Sequence, residues 1–140
     1  MVEITPRRKT LIEEALAETG IEAEERPYGY KIDVQLPGGR KQTVRVAFDA
    51  RSDSDQDKLI LVYSPCAPAR PEAYKWALKM NHGLGYGRIA IETTTEGEVF
   101  VFMHALLESG TDPVELRKTI QAIATKADWV ELQLTKADNY

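Results

Sequence analysis

Residues 72–110, EAYKWALKMNHGLGYGRIAIETTTEGEVFVFMHALLESG, decide the fold. They read as a helix (Glu72 to His82), a glycine-rich joint and two strands. On a helical wheel Tyr74, Ala77, Leu78 and Asn81 share one face, and Ala73, Trp76 and Met80 extend it around the side. The apolar arc covers roughly 200°, about twice what a helix resting on one layer needs. In Gly83-Leu84-Gly85-Tyr86-Gly87 the helix comes first and the strand second. A phosphate cradle needs the reverse order, because the N–H groups come from a helix start. The joint is therefore a helix stop. Arg88 to Thr94 and Glu98 to Leu107 then form a hairpin around Glu96-Gly97. In the second of these strands Val99, Val101, Met103 and Ala105 make one face. Phe100, Phe102, His104 and Leu106 make the other, so the strand expects cover on both sides.

Upstream, Thr5 and Pro6 start a first helix whose face is Leu11, Ile12, Ala15 and Leu16, with Gly20 ending it. Arg7, Arg8 and Lys9 sit in its first turn, where the helix dipole disfavours cations, and read as a solvated face. Period-two alternation begins at Tyr28 (Tyr30, Ile32, Val34, Leu36), turns at Pro37-Gly38-Gly39-Arg40 and returns through Val44, Val46 and Phe48. Lys58 to Ser64 is a third strand, apolar at consecutive positions and so buried on both faces. The three prolines of 65–71 read as a rigid connection that continues neither strand nor helix. Asp112-Pro113-Val114-Glu115 starts the last helix with a capping box. Leu116, Ile120, Ile123, Ala127, Val130 and Leu134 form its seam. Trp129 and Leu132 lie off that seam, as a contact site or as a sign of fraying, before a polar tail from Thr135.

Composition narrows the function. A chain of 140 residues with 43% hydrophobic and 29% charged residues is one domain, 1–140, that needs no metal or disulfide to hold its core. Net charge of −4 gives no pull toward nucleic acid or anionic membrane. The lone Cys66, the absence of a signal-like start and the short longest apolar run (Val99 to Leu107) predict a cytoplasmic chain without a membrane span. Asp53, Asp55 and Asp57 imitate the first ligands of a calcium loop. Lys58 stands where the turn needs glycine and Ser64 where a glutamate should close the site, so a solvated loop is expected instead. No histidine or cysteine pair has zinc spacing. Cys66 has no base beside it, and no paired carboxylates or oxyanion motif occur, so neither an enzyme nor a cofactor is expected. The alternative is a small-molecule or enzymatic pocket near Tyr74, Tyr86 and His104.

The order helix, three strands, helix, two strands, helix resembles the class I type III secretion chaperones and, within them, the YbjN-like bacterial proteins. The resemblance is carried by Leu78-Lys79-Met80-Asn81 through Gly87, by Glu96-Gly97-Glu98-Val99, by Ser109-Gly110 and by Pro113-Val114-Glu115-Leu116. It implies an α+β fold, α-β-β-β-α-β-β-α, with a five-stranded antiparallel sheet flanked by three helices. It also implies a homodimer built on the second helix and an adjacent strand, and apolar patches that hold a segment of a partner protein. The expected dimer or partner surface is Ala73, Tyr74, Trp76, Met80, Phe100, Phe102, Leu106 and Trp129. First and third helices should cover one sheet face, with the second at the opposite side or edge.

Overall fold

A computed structural model describes residues 1–51 and 57–135. The calcium-like loop therefore falls mostly outside the described residues, as does the tail beyond Thr135. Among the described residues three α-helices, α1 (Pro6–Ala15), α2 (Tyr74–Gly83) and α3 (Pro113–Thr135), accompany six strands. These are β1 (Ala23–Arg26), β2 (Gly29–Gln35), β3 (Lys41–Arg51), β4 (Lys58–Pro68), β5 (Arg88–Thr94) and β6 (Gly97–Leu107). All neighbours are antiparallel, in the order β1-β2-β3-β4-β6-β5. The two strands with apolar residues on both faces, β4 and β6, lie side by side inside the sheet, as their composition requires.

The strand the sequence does not announce is β1. Its four residues, Ala-Glu-Glu-Arg, have neither alternation nor strand-forming side chains. Pairing with β2 around the turn Pro27-Tyr28, in the register Ala23 opposite Ile32 and Arg26 opposite Gly29, makes it a strand. Strand β4 also runs further than its prolines suggested, through Pro65 and Cys66 to Pro68. Pairing with β3 stops at Tyr63, so Pro65 sits where that side of β4 is already an edge and no N–H is missed. A register shift between Pro65 and Ala67 takes up the irregularity against β6. Gln42 reaches across and donates to Pro65 O at 2.9 Å and to Ser64 Oγ at 3.0 Å, which satisfies buried polar groups at that end.

One sheet face holds the core. Ile32, Val44, Val46, Ile60, Val62 and Phe102 are buried there, and α3 lays Leu116, Ile120, Ile123, Ala127, Val130 and Leu134 over them. Burying each such side chain stabilises by about 1.5–3 kcal/mol relative to leaving it in water. The capping box works as read, with Asp112 Oδ1 accepting the Glu115 N–H at 2.7 Å. Helix α1 packs beside α3 on the same face, and α2 lies over the β5 edge, also on that face. The second helix thus takes the edge position and not the opposite side. The other face of β4, β5 and β6 has no helix over it among the described residues.

Of the basic cluster at α1, Arg7 and Lys9 are exposed as expected and Arg8 is not. Arg8 is only 4% exposed. Its guanidinium donates to both carboxylate oxygens of Glu108 at 2.8 and 2.9 Å, to Asp49 Oδ1 at 2.6 Å and to Glu3 O at 2.8 Å. The same group lies 4.7 Å from the centre of the Phe48 ring. Its carboxylate partners stand 41 and 100 residues away in sequence, beyond any local pattern.

Cys66 is buried, with Sγ 3.7 Å from Ser64 O. Burial, reinforced by the charge of Glu131, pushes its thiol up to about 12. Native protein at pH 8 should therefore leave a thiol-exchange reagent unreacted, and one thiol should titrate once the chain is unfolded in urea. Rapid labelling of the native chain would contradict this burial.

Candidate protein-binding site

Helix α2 spends its wide apolar arc on two neighbours. Ala77 and Ala73 point down into the core. On one flank Trp76 stacks on Trp129 of α3, with ring centres 6.3 Å apart and planes 27° apart. On the other flank Tyr74 meets Phe100 edge-on at 6.1 Å and its hydroxyl donates to Glu98 Oε1 at 3.3 Å. Asn81 fixes that flank to the sheet: its Nδ2 donates to Ile89 O at 3.0 Å and its Oδ1 accepts from Ile89 N at 2.8 Å. Lys75, Lys79 and His82 are left facing water.

The eight residues expected at an interface divide accordingly. Ala73, Phe100, Phe102 and Leu106 belong to the chain's own core. The phenylalanine face of β6 is the one turned toward the helices, a choice that strand alternation alone does not make. Tyr74, Trp76 and Met80 are half-buried, and Trp129 is 36% exposed. Helix α3 continues through Trp129 to Thr135, so that residue marks a surface and not a frayed end. One turn on, Leu132 is 38% exposed, and Lys126 lies 5.5 Å from the Trp129 ring centre. Together Trp76, Trp129 and Leu132 form an apolar ridge where α2 meets α3.

A second apolar surface was not foreseen as such. Leu78, on the apolar face that also carries Tyr74, Ala77 and Asn81, is 71% exposed. It overhangs a groove of about 270 Å³ whose floor is Ala77, Ile89 and Phe100 and whose rim is Tyr74 and Ile91, itself 42% exposed. A matching groove of about 300 Å³ lies on the opposite face of the sheet, among Leu61, Tyr63, Val101 and Met103. Both grooves are lined by Ala90 and Ile91 of the edge strand β5. The wide arc of α2 and the two apolar faces of β6 were the available signal, but only the register shows which atoms remain uncovered.

The alternative pocket of Tyr74, Tyr86 and His104 is not assembled. Tyr86 and His104 stack, ring centres 4.3 Å apart and planes 21° apart. The Tyr86 hydroxyl is hydrogen bonded to Thr119 Oγ1, which in turn donates to Glu115 O at 2.8 Å. Tyr74 packs on Phe100, four residues along β6 from His104 and so about 13 Å away. Burial, with Arg88 adding to it, lowers the His104 pKa from its ordinary value and favours the neutral ring. Among the described residues no group of histidine, cysteine or acidic side chains could hold a metal ion. Among the described residues no helix is long and apolar enough to cross a membrane.

A family described as YbjN, "Putative bacterial sensory transduction regulator", matches residues 8–131. The chain belongs to the YbjN family. Among solved structures it is similar to the Yersinia pestis type III secretion chaperone SycH, whose crystal structure is in complex with a stable fragment of YscM2. The TM-score is 0.52 at 17% identity, over 84% of this chain and 94% of that one. At that identity the likeness establishes the fold: this YbjN-family chain has the α+β, antiparallel-sheet architecture of a type III secretion chaperone, with one strand more than its sequence announced. No curated protein matches it by sequence.

Proposed function

We propose that this chain is a non-catalytic protein-binding module of the cytoplasm, chaperone-like or regulatory. It works as a homodimer and holds a segment of a partner protein. The observation that carries the reading is the pair of separate apolar surfaces that α2 leaves beside it. On one flank is the Trp76–Trp129–Leu132 ridge, on the other the Leu78–Ile91 groove. We assign the ridge to a second copy and the groove to the partner. A tryptophan pair on two adjacent helices offers a large, rigid contact at small entropic cost, the usual composition of an interface centre. Support for a protein partner comes from the family and from SycH, a chaperone of like fold that holds a protein fragment. The net charge of −4 favours no nucleic-acid surface. With its hydroxyl and one ring face engaged inside the chain, Tyr86 leaves the pocket alternative without a site.

Trp129→Glu tests the dimer. Light scattering after gel filtration should show its dissociation constant raised at least about 100-fold, near 2.7 kcal/mol. At a concentration where the wild type is monomeric too, so that association adds nothing to its stability, the urea midpoint should stay close to wild type, because the side chain is already part-exposed. A Trp129→Glu protein that remains dimeric at the wild-type concentration rules out the ridge as the contact.

A further inference from the structure

The β5 edge combines backbone groups and side-chain grooves in a way that selects one shape of ligand. Asn81 bonds both the N–H and the C=O of Ile89, so those groups point away from β6. In an antiparallel ladder this direction alternates, and the N–H and C=O of Ile91 and Thr93 point to the same open edge. Among the described residues no strand lies beyond β5. The Asn81 side chain is itself an amide that donates and accepts in parallel, as a residue of an added strand would. It closes the edge at Ile89 and leaves it open from Ile91 onward. Neighbouring side chains of a strand added there would enter opposite faces of the sheet. On one face they would find the Leu78 groove, on the other the Met103 groove. The open part of this edge carries charge of one sign: from Ile91 to Val99 the chain has Glu92, Glu96 and Glu98 and no basic residue, and the strand's own Arg88 lies beyond the point that Asn81 closes. A second copy of β5 paired opposite Ile91 and Thr93 without displacing Asn81 would set Glu92 against its own twin, which is repulsive.

We propose that the β5 edge seats an extended segment of a partner protein, added antiparallel opposite Ile91 and Thr93. A basic residue would lie across from Glu92, and apolar residues across from Ile91 and Ala90. A small residue must follow, where the added chain reaches Asn81. This deepens the protein-binding reading and rests on it, since it names the chemistry of the segment in the Leu78 groove.

The test uses the full-length, nitrogen-15-labelled chain and the peptide acetyl-Thr-Lys-Ile-Val-Gly-amide. Binding near about 1 mM is expected for so short a strand. Amide shifts should be confined to β5, the facing side of α2 and the Met103 groove, and hydrogen exchange at Ile91 and Thr93 should slow several-fold. The peptide with Glu in place of Lys should bind at least about tenfold more weakly. No shifts at about 5 mM peptide, shifts centred elsewhere, or equal binding of the two peptides would overturn the proposal. So would concentration-dependent protection of Ile91 and Thr93 in the protein alone, which would put a second copy on this edge. A chain that dimerises through Trp129 and ignores the peptide loses the edge proposal and keeps the dimer. A monomer that binds the peptide does the reverse.

Discussion

Arg8→Ala should cost the fold about 3 kcal/mol, the low end of what breaking a buried ion pair costs. The guanidinium joins three parts of the chain: the N-terminal arm through Glu3 O, the end of β3 through Asp49 and the ring of Phe48, and the segment after β6 through Glu108. Removing it leaves two carboxylates facing one another, with the side chain of Glu108 15% exposed and that of Asp49 37%. Water can partly rescue Asp49, which sets the cost at the low end of the range. Arg8→Lys should lose about half as much, because an ammonium keeps the charge but cannot make the two-pronged bond to Glu108. Urea denaturation of the three proteins measures this directly. A loss under about 1 kcal/mol for Arg8→Ala would mean the cluster adds nothing beyond an exposed pair.

A comparable loss, about 3–4 kcal/mol, is expected for Gly29→Ala. Gly29 opens β2 with φ of 146°, a value side-chain-bearing residues rarely adopt. A Cβ built there falls 2.1 Å from the carbonyl oxygen of Val46 and 3.2 Å from Phe48 Cδ2. The first neighbour is backbone held in the β2–β3 ladder, so it cannot swing aside. Strain of about 1–3 kcal/mol at the dihedral adds to about 1–3 kcal/mol for the overpacking. Gly39→Ala is the control: its φ is 75°, but a Cβ there meets nothing within 4 Å, so only the dihedral term should appear. Equal stabilities for the two variants would contradict the close approach at Gly29.

What the chain displays in one dimension is its periodicity, and the elements that depend on periodicity were legible. The seam of α3, the alternation of β2 and β3, the capped helix starts at Thr5 and Asp112, and the interior placement of β4 and β6 all follow from spacing. Elements held by partners were not. Strand β1 owes its conformation to β2, and the last residues of β4 owe theirs to Gln42 and β6. Arg8 looked like solvent-facing charge because its acids lie far along the chain.

The candidate site was legible by region and not by residue. The sequence drew attention to 72–110, and the Leu78 groove, part of the Met103 groove and Trp76 of the ridge lie there. Its surplus of apolar surface was charged to Phe100, Phe102 and Leu106, which in space are covered by the chain's own helices. Leu78 shares a helical face with the buried Ala77, but a helical wheel does not show how far the neighbouring sheet extends beneath that face. The sheet ends at β5, directly under Leu78, and that boundary creates the groove.

The central claim is that a second copy and a partner use different flanks of α2. Sedimentation equilibrium of the wild-type chain from about 1 to 100 μM tests its first half most directly. The account predicts a species of twice 15.7 kDa that dissociates on dilution and is lost in Trp129→Glu. A single 15.7 kDa species throughout that range would contradict it.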